Sequence, residues 1–253
     1  MIRFAVDGRV GVATIDRTER RNALDAEHCD QLRSALDEHR DLLAVVVTGA
    51  GSAFCAGADL GTRFSDGGGR GADTFRPAFE QVLDTIVDYP APVIAAIHGP
   101  AIGAGMQLAV ACDLRIAGPD ARLAIPGGRL GILLSPTNIT RLSVLVGQGA
   151  ARDFLLTGRS VDAQEGVAVG LVQRLADDPR HAARELAQEI AGLAPLTVQG
   201  HKRALNLVAA AAKVDAGARA EIEALERGAF ASRDLEEGMV AFAEKRTPRF
   251  EGR

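Results

Sequence analysis

The chain has 253 residues, 47% of them hydrophobic and 25% charged, a balance that excludes a disordered polyampholyte and suits a folded protein of one or two domains. Its apolar runs, such as residues 42–47 and 91–97, fall far short of the roughly 18 residues a membrane-spanning helix needs. The formal net charge of −4, from 29 Lys+Arg against 33 Asp+Glu, leaves no basic excess to neutralise a nucleic-acid backbone.

Strand-like segments at 2–6 and 9–16 flank Asp7-Gly8, a pair that predicts a tight hairpin. A basic stretch, 17–21, precedes an amphipathic helix over 25–40, with Leu32 and Leu36 on its apolar face and Asp25 as N-cap. Residues 44–48 and 92–97 read as buried strands with a helix over 75–89 between them. The one low-complexity stretch, 61–72, contains Gly67-Gly68-Gly69 and reads as a mobile loop. A helix over 103–111, a strand over 113–117 and an extended piece at 122–125 continue the alternation, so the chain is expected to coil in ββα units. From Thr137 onward the pattern is helical: 161–169, a strand at 171–174, then Ala-rich helices over 181–193, 198–214 and 216–231.

Cys29, Cys55 and Cys112 have no paired spacing and the five histidines fall at no zinc-ligand interval, so neither a disulfide framework nor a metal site is expected. Residues 1–10 lack a basic segment followed by an apolar one, and the expected location is cytoplasmic.

Three glycine-rich segments each follow a strand: Gly49-Ala50-Gly51, residues 55–59 and residues 99–105. A dinucleotide fingerprint needs a small residue at the sixth place of GxGxxG, where Phe54 and Leu108 stand here, and no Gly-Lys-Ser/Thr forms a phosphate loop. Two tight turns, 56–59 and 103–105, can instead offer two converging backbone N–H donors, an oxyanion hole, the second backed by the positive end of a helix. The same glycines also serve sharp strand-to-helix turns, and spacing alone leaves both readings open.

The runs Arg21-Asn22-Ala23-Leu24, 48–60 (TGAGSAFCAGADL) and 92–105 (PVIAAIHGPAIGAG), continued by 111–117, Arg141-Leu142, 156–158, 168–172 and 242–246, resemble the crotonase superfamily, typified by enoyl-CoA hydratases. The likeness covers nearly the whole chain and extends to actinobacterial hydratase-like proteins that lack both catalytic glutamates. It implies an α/β fold, a spiral of ββα units over 1–195, followed by a C-terminal helical trimerisation region over 196–253. It also implies a homotrimer or dimer of trimers, and a coenzyme A thioester as ligand with no further cofactor. By the same likeness the oxyanion donors fall on the backbone of Ala58 and Ala104. Coenzyme A would lie along Arg17, Arg20, Arg21, Ala56, Asp59 and Leu60, with Lys245 near the nucleotide.

Hydratases of the superfamily use two glutamates twenty residues apart, and here those positions are Gln107 and Gly127. Hydration needs a base for water and an acid for the α-carbon, and a glutamine amide is neither. Loss of a side chain at Gly127 is expected to free volume for longer acyl groups. His98, beside the second turn, corresponds to a position that is often structural in the superfamily. Where a glycine-rich run usually opens the next helix, Ser135-Pro136-Thr137-Asn138 stands instead and alters the pocket wall. The resulting expectation is an acyl-CoA-binding protein of fatty-acid or lipid metabolism, with fatty-acid-synthesis enzymes as candidate partners and little hydratase activity. The rival is an active lyase, isomerase or thioester hydrolase with an acid or base elsewhere.

Overall fold

Gly8, at a φ of 60°, turns the chain between β1 (Ile2–Asp7) and β2 (Val10–Ile15), which pair antiparallel as the Asp-Gly signal predicts. The computed structural model describes residues 1–60, 70–211 and 216–251. Beyond β2 the main sheet is parallel: β3 (Ala44–Gly49), β4 (Val93–Ile97), β6 (Leu114–Ala117) and β9 (Arg174–Leu175) follow in the order β1-β2-β3-β4-β6-β9. A smaller sheet joins β5 (Pro100–Ile102), β7 (Arg122–Ala124) and β8 (Val161–Asp162). In the middle of the chain each turn visits the main sheet, the small sheet and then a helix. Thus β4 and β5 lead to α3 (Ala104–Ala111), and β6 and β7 lead to α4 (Pro136–Thr157). A bridge from Cys55 to Ala101 adds the preceding turn to the small sheet. This is the expected coil of ββα units.

Strand alternation explains why the main sheet needs cover on both sides. Val45, Val47, Val93, Ala95 and Ile97 join one core with Leu32 and Leu36 of α1 (Ala26–Glu38) and Val82, Leu83 and Ile86 of α2 (Arg70–Val87). Their neighbours Ala44, Val46, Ile94 and Ala96 form a second core with Ala183, Leu186 and Ala187 of α6 (Pro179–Ala191). Full burial of each Val, Leu or Ile contributes about 1.5–3 kcal/mol, so both faces of the sheet are strongly held.

Four expectations shift. Residues 161–162 pair with β7, so helix α5 is shorter, Ala163–Ala168. Leu171 and Val172 are buried in the core, and the strand lies further on, at β9. Residues 70–72 open α2 rather than closing a loop, while 61–69 of that stretch lie outside the described residues. After α7 (Pro195–Ala211) and α8 (Ala216–Phe230), a further helix, α9 (Arg233–Glu244), begins where the Ser232 hydroxyl accepts from the N–H of Leu235.

Helix α7 is fastened by Lys202, 6% exposed. Its Nζ reaches Asp113 Oδ2 at 2.7 Å, Ala91 O at 3.0 Å and Ile86 O at 3.2 Å. On the same helix Leu196, Leu205 and Val208 are exposed, as is Leu225 on α8. The three cysteines are free and buried. Among the described residues no helix is long and apolar enough to cross a membrane, and no cluster of metal-ligating side chains occurs.

Candidate active site

Asn22, fully buried in a left-handed conformation at φ 60°, joins the basic loop to the turn after β3. Its Nδ2 donates to Ala53 O (2.6 Å) and Ala50 O (2.8 Å), and its Oδ1 accepts from the N–H of Arg17 (3.0 Å). The chain then passes Leu24, whose N–H donates to Gly57 O (2.8 Å) and whose carbonyl accepts from the N–H of Asp59 (2.7 Å). This parallel bridge brackets Ala58 and leaves its own N–H turned away from Leu24. Gly57 has φ 110°, and a Cβ there would lie 2.8 Å from Ile102 O and 3.8 Å from the nitrogen of Ala104, so only glycine lets the two turns adjoin. Ala104 is the first residue of α3, where backbone N–H groups have no helical partner. Among the described residues no acceptor is bonded to the N–H of Ala58 or of Ala104. Both residues line one cavity of about 460 Å³. Two such donors, with the end of α3 behind one of them, are arranged to hold an oxygen that gains negative charge.

The structure brings most of the residues singled out by sequence to this cavity. Arg20 and Arg21, both exposed, line it with Ala56, Asp59 and Leu60, and Gln107 and Gly127 line it further in. Gln107 lies one turn along α3 from Ala104, its Nε2 donating to Gly103 O at 3.3 Å. Arg17 is not in the wall. Its guanidinium is bonded to Asp59 (2.6 Å), Asp25 (3.1 Å) and Ala23 O (3.2 Å), so it latches the loop. Lys245 is also absent from the wall: it caps α9 at φ 55° and is exposed. His98 stands outside it, buried, with Nε2 2.5 Å from Arg180, a structural placement.

Gly127 departs from expectation. Its Cβ direction is closed by Ile132 O, which a Cβ would meet at 2.5 Å. The N–H groups of Leu130 and Ile132 both donate to Gly127 O at 3.0 Å, so 127–132 is a tight turn folded over the position. The missing side chain therefore frees no room there, because a carbonyl fills it.

Several lining residues escaped the sequence reading, Glu80 among them. Glu80, on α2 between the apolar Phe79 and Val82, faces the cavity. Its Oε1 accepts from Asn138 Nδ2 (2.8 Å) and Ser135 Oγ (2.9 Å). Burial raises its carboxyl above the usual carboxylate range, against the lowering effect of the Ser135 hydroxyl and of Arg141. Ser135 and Asn138 belong to the run that replaces the superfamily's glycines. Two polar side chains placed there were the signal that an acceptor must face them.

A family model described as enoyl-CoA hydratase/isomerase matches residues 6–253. The chain belongs to the enoyl-CoA hydratase/isomerase family. A relative in Mycobacterium leprae, named "Probable enoyl-CoA hydratase echA6", is 41% identical, the match covering 96% of each chain. Among solved structures, an enoyl-CoA hydratase/isomerase from Pseudoalteromonas atlantica is 30% identical, superposes with a TM-score of 0.84 and covers 99% of both chains. A methylmalonyl-CoA decarboxylase bound to 2-nitronate-propionyl-CoA, at 24% identity, shares the fold with a TM-score of 0.90, covering 100% of this chain and 98% of the other. Membership of the family agrees with the sequence motifs and with the ββα spiral.

Proposed function

We propose that this chain binds an acyl-CoA thioester, with the carbonyl oxygen between the N–H groups of Ala58 and Ala104, and does not hydrate enoyl thioesters at a hydratase's rate. The observation that carries the reading is one cavity lined both by Ala58 and Ala104, whose N–H groups have no acceptor among the described residues, and by Gln107 and Gly127, where hydratases of the superfamily have carboxylates. An absent acid or base removes roughly 10²–10⁴-fold in rate each. Losing one oxyanion donor costs only about 10²–10³-fold, so keeping both does not offset the loss of two carboxylates. Phe75, Phe79, Leu130, Ile132, Leu133 and Leu134 give the acyl chain an apolar lining. Arg20 and Arg21 at the exposed rim suit the phosphates of coenzyme A, and the backbone of 56–60 suits its adenine side.

A trimer or dimer of trimers, built on the helices after residue 195, accompanies this reading, as does a place in lipid metabolism beside fatty-acid-synthesis enzymes. One observation favours a second reading. Glu80 is an ionisable group in the same cavity, which fits an isomerase or lyase whose acid or base lies outside the superfamily's two positions.

Calorimetric titration with decanoyl-CoA and with decanoate, beside a crotonyl-CoA turnover assay, tests the proposal. Decanoyl-CoA is expected to bind and decanoate not, with no hydration above background. Equal binding of the two, or hydration at a normal hydratase rate, overturns it.

A further inference from the structure

We infer that Glu80 is a proton-transfer group of this cavity, taking a proton from the carbon next to a bound thioester carbonyl and returning it. The inference rests on the thioester being held by Ala58 and Ala104. Three features of the structure lead to it.

First, the carboxylate is oriented. Ser135 Oγ and Asn138 Nδ2 both bond to Oε1, and among the described residues no donor is bonded to Oε2. Ser135 is 9% exposed and Asn138 4%, so the clamp is built into the wall. Arg141 steadies it, donating to Asn138 Oδ1 at 3.0 Å while holding Asp84 at 2.5 Å. Second, the carboxylate lines the same cavity as Ala58, Ala104 and Gln107. Gln107 and Asn138 also line one narrow crevice between α3 and α4, so the side chain that clamps Glu80 borders the same space as the position where a hydratase has its first glutamate. Third, Glu80 and Ser135 also line a second, polar cleft of about 420 Å³ with Arg76, Asp84, Arg219 and Glu223. A proton taken up from the acyl side can therefore leave on the solvent side.

The step balances without a co-reactant. The α C–H bond breaks, its proton forms an O–H bond on Glu80, and the electron pair moves onto the thioester oxygen as an enolate held by the two N–H groups. Reprotonation by Glu80, after exchange with water through the polar cleft, restores the thioester. Hydration needs two such groups acting together, whereas α-proton exchange, or migration of a double bond, needs one.

The full-length protein is incubated with decanoyl-CoA in D₂O, and deuterium at the α-carbon is followed by mass spectrometry, with calorimetry run in parallel. Wild type is expected to incorporate deuterium well above the uncatalysed rate. In Glu80→Gln exchange falls at least about 100-fold while decanoyl-CoA affinity stays within about threefold. The wild-type rate rises with pH as the carboxyl ionises, through a midpoint above the usual carboxylate range. That midpoint is set by burial, by Ser135 and Arg141, by Asp84 and Arg76 on α2, and by the Arg76–Glu226 pair beside it. Asn138→Ala, which loosens the clamp, moves the pH midpoint more than it moves binding. Decanoyl-CoA binding without exchange in wild type, or exchange unchanged in Glu80→Gln, overturns the inference and leaves the binding proposal standing. Absence of decanoyl-CoA binding overturns both.

Discussion

Arg115 lies in the Cys-Asp-Leu-Arg run that resembled the superfamily, yet it touches no ligand cavity. At 2% exposure its guanidinium donates to Leu171 O and Cys112 O at 2.6 Å each, to Gln173 Oε1 at 2.7 Å, and to Ala109 O at 3.2 Å. Burial holds its pKa down to about 10, but it stays charged at neutral pH, and the carbonyls at the end of α3 depend on it. Arg115→Met leaves several buried acceptors unpaired at about 1–3 kcal/mol each. A loss of at least about 3 kcal/mol is expected in urea unfolding, and a loss below 1 kcal/mol contradicts this account. Gly127 gives the opposite lesson. A methyl group there meets Ile132 O, so Gly127→Ala is expected to cost about 1–3 kcal/mol. For the same reason Gln107→Glu/Gly127→Glu does not restore crotonyl-CoA hydration, because the second carboxylate cannot enter without displacing the turn. A double variant as stable as wild type and active in hydration disproves it. The turns that carry Ala58 and Ala104 were legible in the glycine spacing, and the family resemblance singled out those two residues within them. Glu80 was not, because its partners Ser135 and Asn138 lie 55 and 58 residues away in sequence.

Helix α1 shows how local signals set an element. Asp25 accepts from the N–H of His28 at 3.0 Å and from its ring at 2.6 Å. Burial alone pushes this carboxyl up, but the His28 hydrogen bonds and the charge of Arg17 outweigh it and hold the pKa below its ordinary value. A lowered folded pKa means that Asp25 stabilises the fold above about pH 3.9, the unfolded value, and that this contribution is lost as pH falls through the folded value. Asp25→Ala is expected to cost about 0.5–2 kcal/mol at pH 7, with the gap to wild type closing as the pH falls below the unfolded value of about 3.9. A gap independent of pH refutes the carboxylate's part in it. Helix α7 depends instead on a distant partner. Lys202→Met leaves the half-buried Asp113 without its charge partner and the carbonyls of Ile86 and Ala91 without that donor, a loss of about 1–3 kcal/mol, and speeds amide exchange along α7 more than along α6. Strands β3 and β4 were read from sequence because burial on both faces leaves an unbroken apolar run, and α1 because its cap and period agree. Helix α9 was not read as a separate element, because its start depends on the Ser232 hydroxyl just beyond the last Ala-rich run, and β9 was not because its two residues are exposed and held by backbone pairing alone.

The whole molecule exposes Leu196 (86%), Val208 (71%), Leu205 (68%) and Leu225 (61%) on its last long helices. Large apolar side chains left exposed along consecutive helices suit an interface. Light scattering is expected to give at least a trimer, about 80 kDa from 26.5 kDa protomers, with Leu205→Glu/Val208→Glu shifting the particle toward a single chain. A wild-type mass near 26.5 kDa at micromolar concentration refutes the trimer. The buried cysteines give this architecture a clock. Cys55 is fully enclosed in the turn beside Ala58, its thiol raised to about 12 by burial and its Sγ 3.8 Å from Gly57 O. A thiol in that setting reacts with a soluble disulfide reagent only while the turn is open. The labelling rate of Cys55 therefore counts openings of the turn, and a ligand bound only to the closed turn slows it by the factor 1 + [L]/Kd, about 100-fold at roughly 100 times Kd. A thiol in the turn that makes no contact with the cavity thus becomes a spectator whose modification time reads occupancy of the site directly.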